Sequence, residues 1–245
     1  MAICFLTSSP TGSLDDSHVV IGLDEMNHFV DNLRKFWPED ARNLMISAFP
    51  EDERANDQMC EFFEAVTRDA GLSVGCFELW DNRTKDTSLK KLLSYDVIWL
   101  GGGHVPTQNQ FFHQINLINH IKKFKGIVIG ISAGTMNAAE NVYAQPELDG
   151  EALDPEYQRF ITGLGLTKTN ILPHYQMVKD HYLDGMRLFE DITYKDSVNH
   201  RFLALVDGSY LFVKDGVETV YGEAYEICDG CIKQICRPDE YFVWK

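Results

Sequence analysis

Apolar residues fall in short unbroken runs separated by stretches with a helical rhythm. Residues 3–6 (ICFL) read as a first strand, closed by the turn Ser-Ser-Pro-Thr-Gly at 8–12. Residues 44–49 (LMISAF) form a second, after which Met59, Phe62, Phe63, Val66 and Ala70 fall on one helix face. Residues 74–79 and 97–100 give a third and a fourth strand. Phe111, Ile115, Ile118 and Ile121 then mark a helix before a fifth strand at 127–131. Strands apolar at consecutive positions need cover on both faces. Alternating with amphipathic helices, they predict an α/β fold, a mostly parallel sheet with helices on both faces.

The pattern changes after residue 140. Residues 141–160 (NVYAQPELDGEALDPEYQRF) are acidic, carry two prolines and have no period, which predicts a loop or lid. "ITGLGLTKTNILPHY" leads to a further short strand, and Met186, Phe189 and Ile192 suggest a helix. "FLALVDGSYLFVKDGVETVYGEAYEICDGCIKQI" then reads as short antiparallel strands with Asp-Gly turns at 207–208, 215–216 and 229–230. One domain over residues 1–245, with a β-rich C-terminal extension, is the expected organisation.

Composition narrows the partners. Of 245 residues, 44% are hydrophobic and 12% aromatic, enough for a sizeable core. A net charge of −15 argues against nucleic acid and anionic membranes, which select clustered Lys and Arg. The apolar runs fall well short of a membrane span. The opening residues lack a basic segment followed by a long apolar one, so the expected location is cytoplasmic. The choice between monomer and homodimer stays open. Cys228 and Cys231 have the spacing of zinc or redox pairs, but Asp229-Gly230 between them is a strong hairpin turn. The six cysteines, Cys4, Cys60, Cys76, Cys228, Cys231 and Cys236, are therefore expected to be reduced and structural, with no metal and no cofactor.

The candidate chemistry lies where the strands end. In open parallel sheets, ligands bind beyond the carboxyl ends of the strands, and GGGH (101–104) and GISAG (130–134) both fall there. Gly130, Ser132 and Gly134 fit a G-x-S-x-G elbow, in which a sharp turn lifts the serine out of the sheet. The N–H of Ala133 would then face a developing oxyanion. The competing reading is a tight strand-to-helix turn where only small residues fit. Consecutive glycines at 101–103 let backbone N–H groups approach a ligand and could supply a second donor. A phosphate loop is the weaker reading of them, since neither GxGxxG nor GxxxxGK[ST] occurs.

A serine needs a base. Among His18, His28, His104, His113, His120, His174, His181 and His200, His113 and His120 fall on the helix after GGGH and are expected to face solvent. His104 adjoins the glycine loop and could line a pocket. His174 stands at a strand end, and His181, at an expected helix start seven residues on, competes with it. Asp207 stands out among 37 acidic residues because it ends the run FLALV and precedes a glycine.

"VIWLGGGH", "GIVIGISAGTMNAA", "GLGL…ILPHY" and "LALVDGSYLFV", in this order over residues 95–225, resemble the peptidase E and cyanophycinase family of serine peptidases. The resemblance implies a class I glutamine amidotransferase-like, flavodoxin-like α/β fold and cleavage next to acidic residues in peptides. It assigns Ser132 as nucleophile, His174 as base and Asp207 as orienting acid, with Gly103 and Ala133 forming the oxyanion hole. Gly102 and His104 would border the substrate. The acid is Glu in peptidase E, and His104 replaces an Asn after GGG. The threonine-arginine pattern that grips acidic side chains in aspartyl dipeptidases is absent, as is the DQHF-type histidine motif of cyanophycinases. Lys179 and Arg187 are the cations of the segment beyond His174, with an exposed helix face as their competing reading. The expected function is serine-peptidase hydrolysis of small peptides. An esterase or amidase using the same residues, and a non-catalytic ligand-binding protein of this fold, are the alternatives.

Overall fold

The structure, a computed structural model, describes residues 2–14, 19–87 and 90–245. His18 therefore lies outside the described residues. Strand β1 (Ile3–Thr7) is followed by a hairpin of β2 (Thr11–Leu14) and β3 (Val19–Leu23), where the sequence suggested only a turn. The chain continues through α1 (Phe29–Arg34), β4 (Ala41–Ile46), α2 (Glu53–Asp69), β5 (Val74–Trp80) and β6 (Val97–Leu100). Next come α3 (Val105–Gln114), α4 (Ile118–Ile121), β7 (Ile127–Ile131) and α5 (Ala133–Asn137). The single helix expected around 111–121 is thus two. Asn116, at φ 54°, breaks it in the left-handed conformation that asparagine tolerates.

Strands β8 (Asn141–Tyr143) and β9 (Phe160–Thr162) pair antiparallel at the base of the segment expected as a loop. They are followed by β10 (Asn170–Leu172), α6 (Tyr175–Val178), β11 (Tyr182–Leu183) and β12 (Met186–Arg187). The expected helix begins only at Leu188, as a π-type turn over Leu188–Thr193 continued by α7 (Tyr194–Asp196), and Met186 lies in β12. The last strands are β13 (Arg201–Leu205), β14 (Tyr210–Lys214), β15 (Val217–Tyr221), β16 (Ala224–Cys228), β17 (Cys231–Cys236) and β18 (Tyr241–Trp244).

Eight strands form the main sheet in the order β18-β15-β14-β1-β7-β6-β4-β5. From β1 to β5 the pairs are parallel, and β14, β15 and β18 extend the sheet antiparallel. Burial on both faces explains the unbroken apolar runs. Leu44, Ile46, Ile98, Leu100 and Val128 face one core with α3 and α4, while Met45, Val97, Trp99 and Ile129 face another with α1 and α2.

The C-terminal extension is split between sheets. Strands β10, β13, β16 and β17 make a second, four-stranded sheet. Leu203 and Leu205 of β13 pack into the core shared with Cys4, Leu6 and Leu211 of the main sheet, and the alternate residues Phe202 and Ala204 face the other way. Asp215-Gly216 and Asp229-Gly230 are hairpin turns with both residues at positive φ, the geometry that matches strand twist. Asp207-Gly208 differs, since it carries the chain from β13 in the small sheet to β14 in the main one. All six cysteines are free, and Cys4 and Cys236 are buried. Cys231 is exposed at the hairpin, so a packing role does not extend to it. Among the described residues no helix is long and apolar enough to cross a membrane.

Candidate active site

Strand β7 delivers Ser132 at the N-cap of α5 with φ 48° and ψ −110°, a conformation costly for a residue with a side chain. Its backbone is pinned from both sides. The Ser132 N–H donates to the carbonyls of Thr7 and Ser8 (3.3 and 3.2 Å), and its own carbonyl accepts from Thr135 and Met136 N–H (2.9 and 3.0 Å). The flanking glycines answer to packing. A Cβ on Gly130 would lie 2.6 Å from Thr135 Oγ1, and one on Gly134 would lie 2.2 Å from the Leu100 carbonyl oxygen. Tight packing thus accounts for the glycines, but it does not require a strained serine between them. Ala133 opens α5, so its N–H has no intrahelical acceptor.

The glycine loop at the end of β6 lies alongside. A Cβ on Gly102 would stand 3.5 Å from Ser132 Cβ, and Gly103 has φ 153° with the Phe49 ring where a side chain would go. Gly101 is fixed by its N–H to the Ile46 carbonyl (2.9 Å) and by Gln108 Nε2 donating to its oxygen (2.7 Å).

The structure brings His174 and Asp207 together. His174 follows β10 with a left-handed backbone (φ 57°), and its Nδ1–H donates to Asp207 Oδ1 at 2.7 Å. That bond sets the tautomer and leaves Nε2 as the acceptor. Asp207 Oδ1 also accepts from the Ser8 hydroxyl (2.6 Å), and Oδ2 accepts from Gln176 Nε2 (2.7 Å). Burial pushes the Asp207 carboxyl up. The hydrogen bond and charge of His174, then the bonds from Ser8 and Gln176, pull it net below the usual range, so it stays a carboxylate. Asp24, buried nearby, is raised by burial first and also by the charge of Asp207. Among the described residues the Ser132 hydroxyl has no hydrogen-bond partner.

The other candidates make separate contacts. His181 is exposed in the turn after α6, not at a helix start, and its N–H donates to the Val178 carbonyl (3.0 Å). His200 stacks on Phe160 with ring centroids 4.3 Å apart. Exposed His113 bonds the Thr162 carbonyl from α3, whereas half-buried His120 belongs to α4. His104 caps α3, and its Nε2–H donates to Glu151 Oε1 (2.9 Å), tying the 144–159 segment to the glycine loop. Glu151 Oε2 in turn accepts the N–H groups of Glu147 and Leu148 (2.8 and 3.0 Å). The Glu147 carboxyl is pushed up by surrounding protein and lies within electrostatic reach of both His104 and His174. Lys179 is exposed at the end of α6. Arg187 is taken up by Asp191, with Nε and Nη2 each 3.0 Å from a carboxylate oxygen.

The sequence reading missed Ser8 and Gln176, which hold the acid. A serine where the first strand ends was the available signal for Ser8; Gln176 had none. A cavity of about 900 Å³ at the opposite end of β1, bordered by Ala2, Cys4, Leu166 and Trp244, contains none of the candidate residues. Among the described residues no cluster of three or more His, Cys, Asp or Glu could hold a metal ion.

The fold is that of known peptidases. A peptidase from an acI-B1 Actinobacterium is 14% identical with a TM-score of 0.65, covering 100% of this chain and 97% of its own. A candidate peptidase E protein from Listeria monocytogenes EGD-e is 19% identical with a TM-score of 0.57, covering 96% and 99%. No curated protein matches. A model of peptidase family S51 matches residues 20–220, and so spans the elbow, the glycine loop, His174 and Asp207. The chain belongs to peptidase family S51, a family of serine peptidases.

Proposed function

We propose that this serine peptidase cleaves small peptides through an acyl-enzyme formed on Ser132, with His174 as base and Asp207 as the acid that orients it. The observation that carries the reading is the 2.7 Å bond from His174 Nδ1–H to Asp207 Oδ1, which leaves Nε2 free to accept a proton. Ser132 attacks the scissile carbonyl as His174 Nε2 takes its proton. Asp207 then faces the imidazolium, and the same proton passes to the leaving amine. The N–H groups of Gly103 and Ala133 receive the oxyanion, and Gly102 and His104 border the substrate. Water repeats the sequence on the acyl-enzyme and frees Ser132.

Charge around the site favours a free amino end over an acidic side chain. Glu147 lies within electrostatic reach of His104 and His174, while Arg187 is neutralised by Asp191. The substrate class that fits is a short peptide whose α-ammonium sits by Glu147.

A fluorophosphonate probe read by intact mass tests the reading. One adduct is expected on the wild type, none on Ser132→Ala or His174→Ala, and most of the wild-type labelling on His181→Ala. Loss of labelling in His181→Ala but not in His174→Ala would move the base to His181. Dipeptides with free amino ends are expected to be cleaved at least about tenfold faster than their acetylated forms.

A further inference from the structure

We infer that Ser8 is a positioning residue for the proposed triad, tying the sheet that carries the nucleophile to the sheet that carries base and acid. The inference rests on the roles just proposed for Ser132, His174 and Asp207. Ser132 and the glycine loop extend from β7 and β6 of the main sheet, whereas His174 and Asp207 extend from β10 and β13 of the small one. Ser8 follows β1 in the main sheet, is 0% exposed, and bonds to all three residues. Its carbonyl accepts the Ser132 N–H at 3.2 Å. Its hydroxyl accepts the His174 N–H at 2.7 Å and donates to Asp207 Oδ1 at 2.6 Å.

The direction of each bond follows from chemistry. A hydroxyl has one proton to give and lone pairs to receive. The carboxylate can only accept and the backbone N–H can only donate, so both ends are determined. The neighbouring hydroxyl makes a useful contrast, since Thr7 Oγ1 donates to the Gly130 carbonyl (2.7 Å) and stays within the main sheet. The Ser8 hydroxyl crosses between sheets.

Its effect on the acid is rotational. A carboxylate turns in a broad torsional well, so one bond to His174 leaves the Asp207 plane poorly fixed. Ser8 adds a second donor on Oδ1 from buried surroundings. The donor on Oδ2, Gln176, belongs to the four-residue helix α6 and is exposed. The bond to the His174 N–H also restrains the left-handed residue from which the imidazole projects.

The test compares Ser8→Ala with Ser8→Cys, which keeps a donor at the same branch but a larger and weaker one. In Ser8→Ala, kcat is expected to fall about 10- to 100-fold, with KM changed less than about threefold, as loss of a charge-assisted bond implies. Ser8→Cys is expected to fall between Ser8→Ala and the wild type. The His174 Nδ1–H proton resonance, which requires no turnover, is expected to move or broaden in both variants. If Ser8→Ala melts below the assay temperature, Ser8→Cys decides by the same two readouts. An unmoved resonance with kcat per folded molecule within about threefold of wild type overturns the inference. Failure of the wild type to label at Ser132 would instead remove the parent reading, while the resonance would still report on Ser8.

Discussion

Replacing Asp207 with Asn separates charge from shape at the point where the geometry is most demanding. Asp207 Oδ1 accepts from His174 Nδ1 and Ser8 Oγ, Oδ2 accepts from Gln176 Nε2, and the Asp207 N–H donates to Gln176 Oε1 (3.1 Å). An amide has one acceptor oxygen and cannot serve both sides. If its oxygen faces His174 and Ser8, its NH2 meets the NH2 of Gln176. Turning Gln176 over then sets Gln176 NH2 against the backbone N–H. If the NH2 faces His174 instead, Nδ1 must accept, the proton moves to Nε2, and the base is lost. The charge contribution can be estimated separately. Opposite charges about 4 Å apart interact by about 4 kcal/mol at an effective dielectric constant of about 20. Both side chains are partly exposed, 31% and 29%, so the unscreened figure is an upper bound and the range with screening is about 2–4 kcal/mol. That range corresponds to about a 30- to 1,000-fold loss in kcat, and the wrong tautomer extends it toward about 10⁴-fold. The assay is kcat on a dipeptide, together with the rate of fluorophosphonate labelling, for folded Asp207→Asn. Retention of more than about a tenth of wild-type kcat would refute the assignment of Asp207 as orienting acid.

Two further outcomes follow from packing and charge. In Gly134→Ala the new methyl overlaps the Leu100 carbonyl at 2.2 Å; a backbone clash of this kind costs about 2 kcal/mol or more, so Tm should drop by about 4–8 °C and Ser132 labelling should slow. A Tm within about a degree of wild type would contradict that packing. Asp24→Asn keeps the oxygen that accepts from Met26 N–H (2.7 Å) and removes a buried charge. Burial raises the folded-state pKa of Asp24 above its unfolded value. The wild type therefore gains stability as pH falls through that pKa and loses it as pH rises. Scanning fluorimetry should find Asp24→Asn more stable than wild type at pH 8, with the advantage gone near pH 4. A gain of equal size at both would exclude the charge as its source.

Parts of this molecule were written locally and could be read. Strands β6 and β7 came out with their observed bounds because every residue of both is buried, which makes the apolar run unbroken. Ser132 was visible because the glycines beside it are imposed by contacts of the same turn and of β6. The pairing of His174 with Asp207 spans 33 positions, and spacing alone does not distinguish His174 from His181. Ser8 is 199 positions from Asp207, and only the docking of two sheets joins them. Hairpin β2–β3 escaped detection because Thr11-Gly12-Ser13 has no apolar alternation to set a register. Arg187 could have been recognised as occupied, since Asp191 lies four residues on, at ion-pair spacing.

The division between sheets is also a division along the chain. Ser132, the glycine loop and Ser8 lie within the first 132 residues, whereas His174 and Asp207, the proposed base and acid, come later and extend from strands of the other sheet. On the proposed assignment, a chain that ends before residue 174 carries the nucleophile without its base or its acid. The two sheets meet where Leu203 and Leu205 share a core with Leu6 and Leu211. The proposed chemistry therefore depends on the docking of the two sheets as much as on the residues that each contributes.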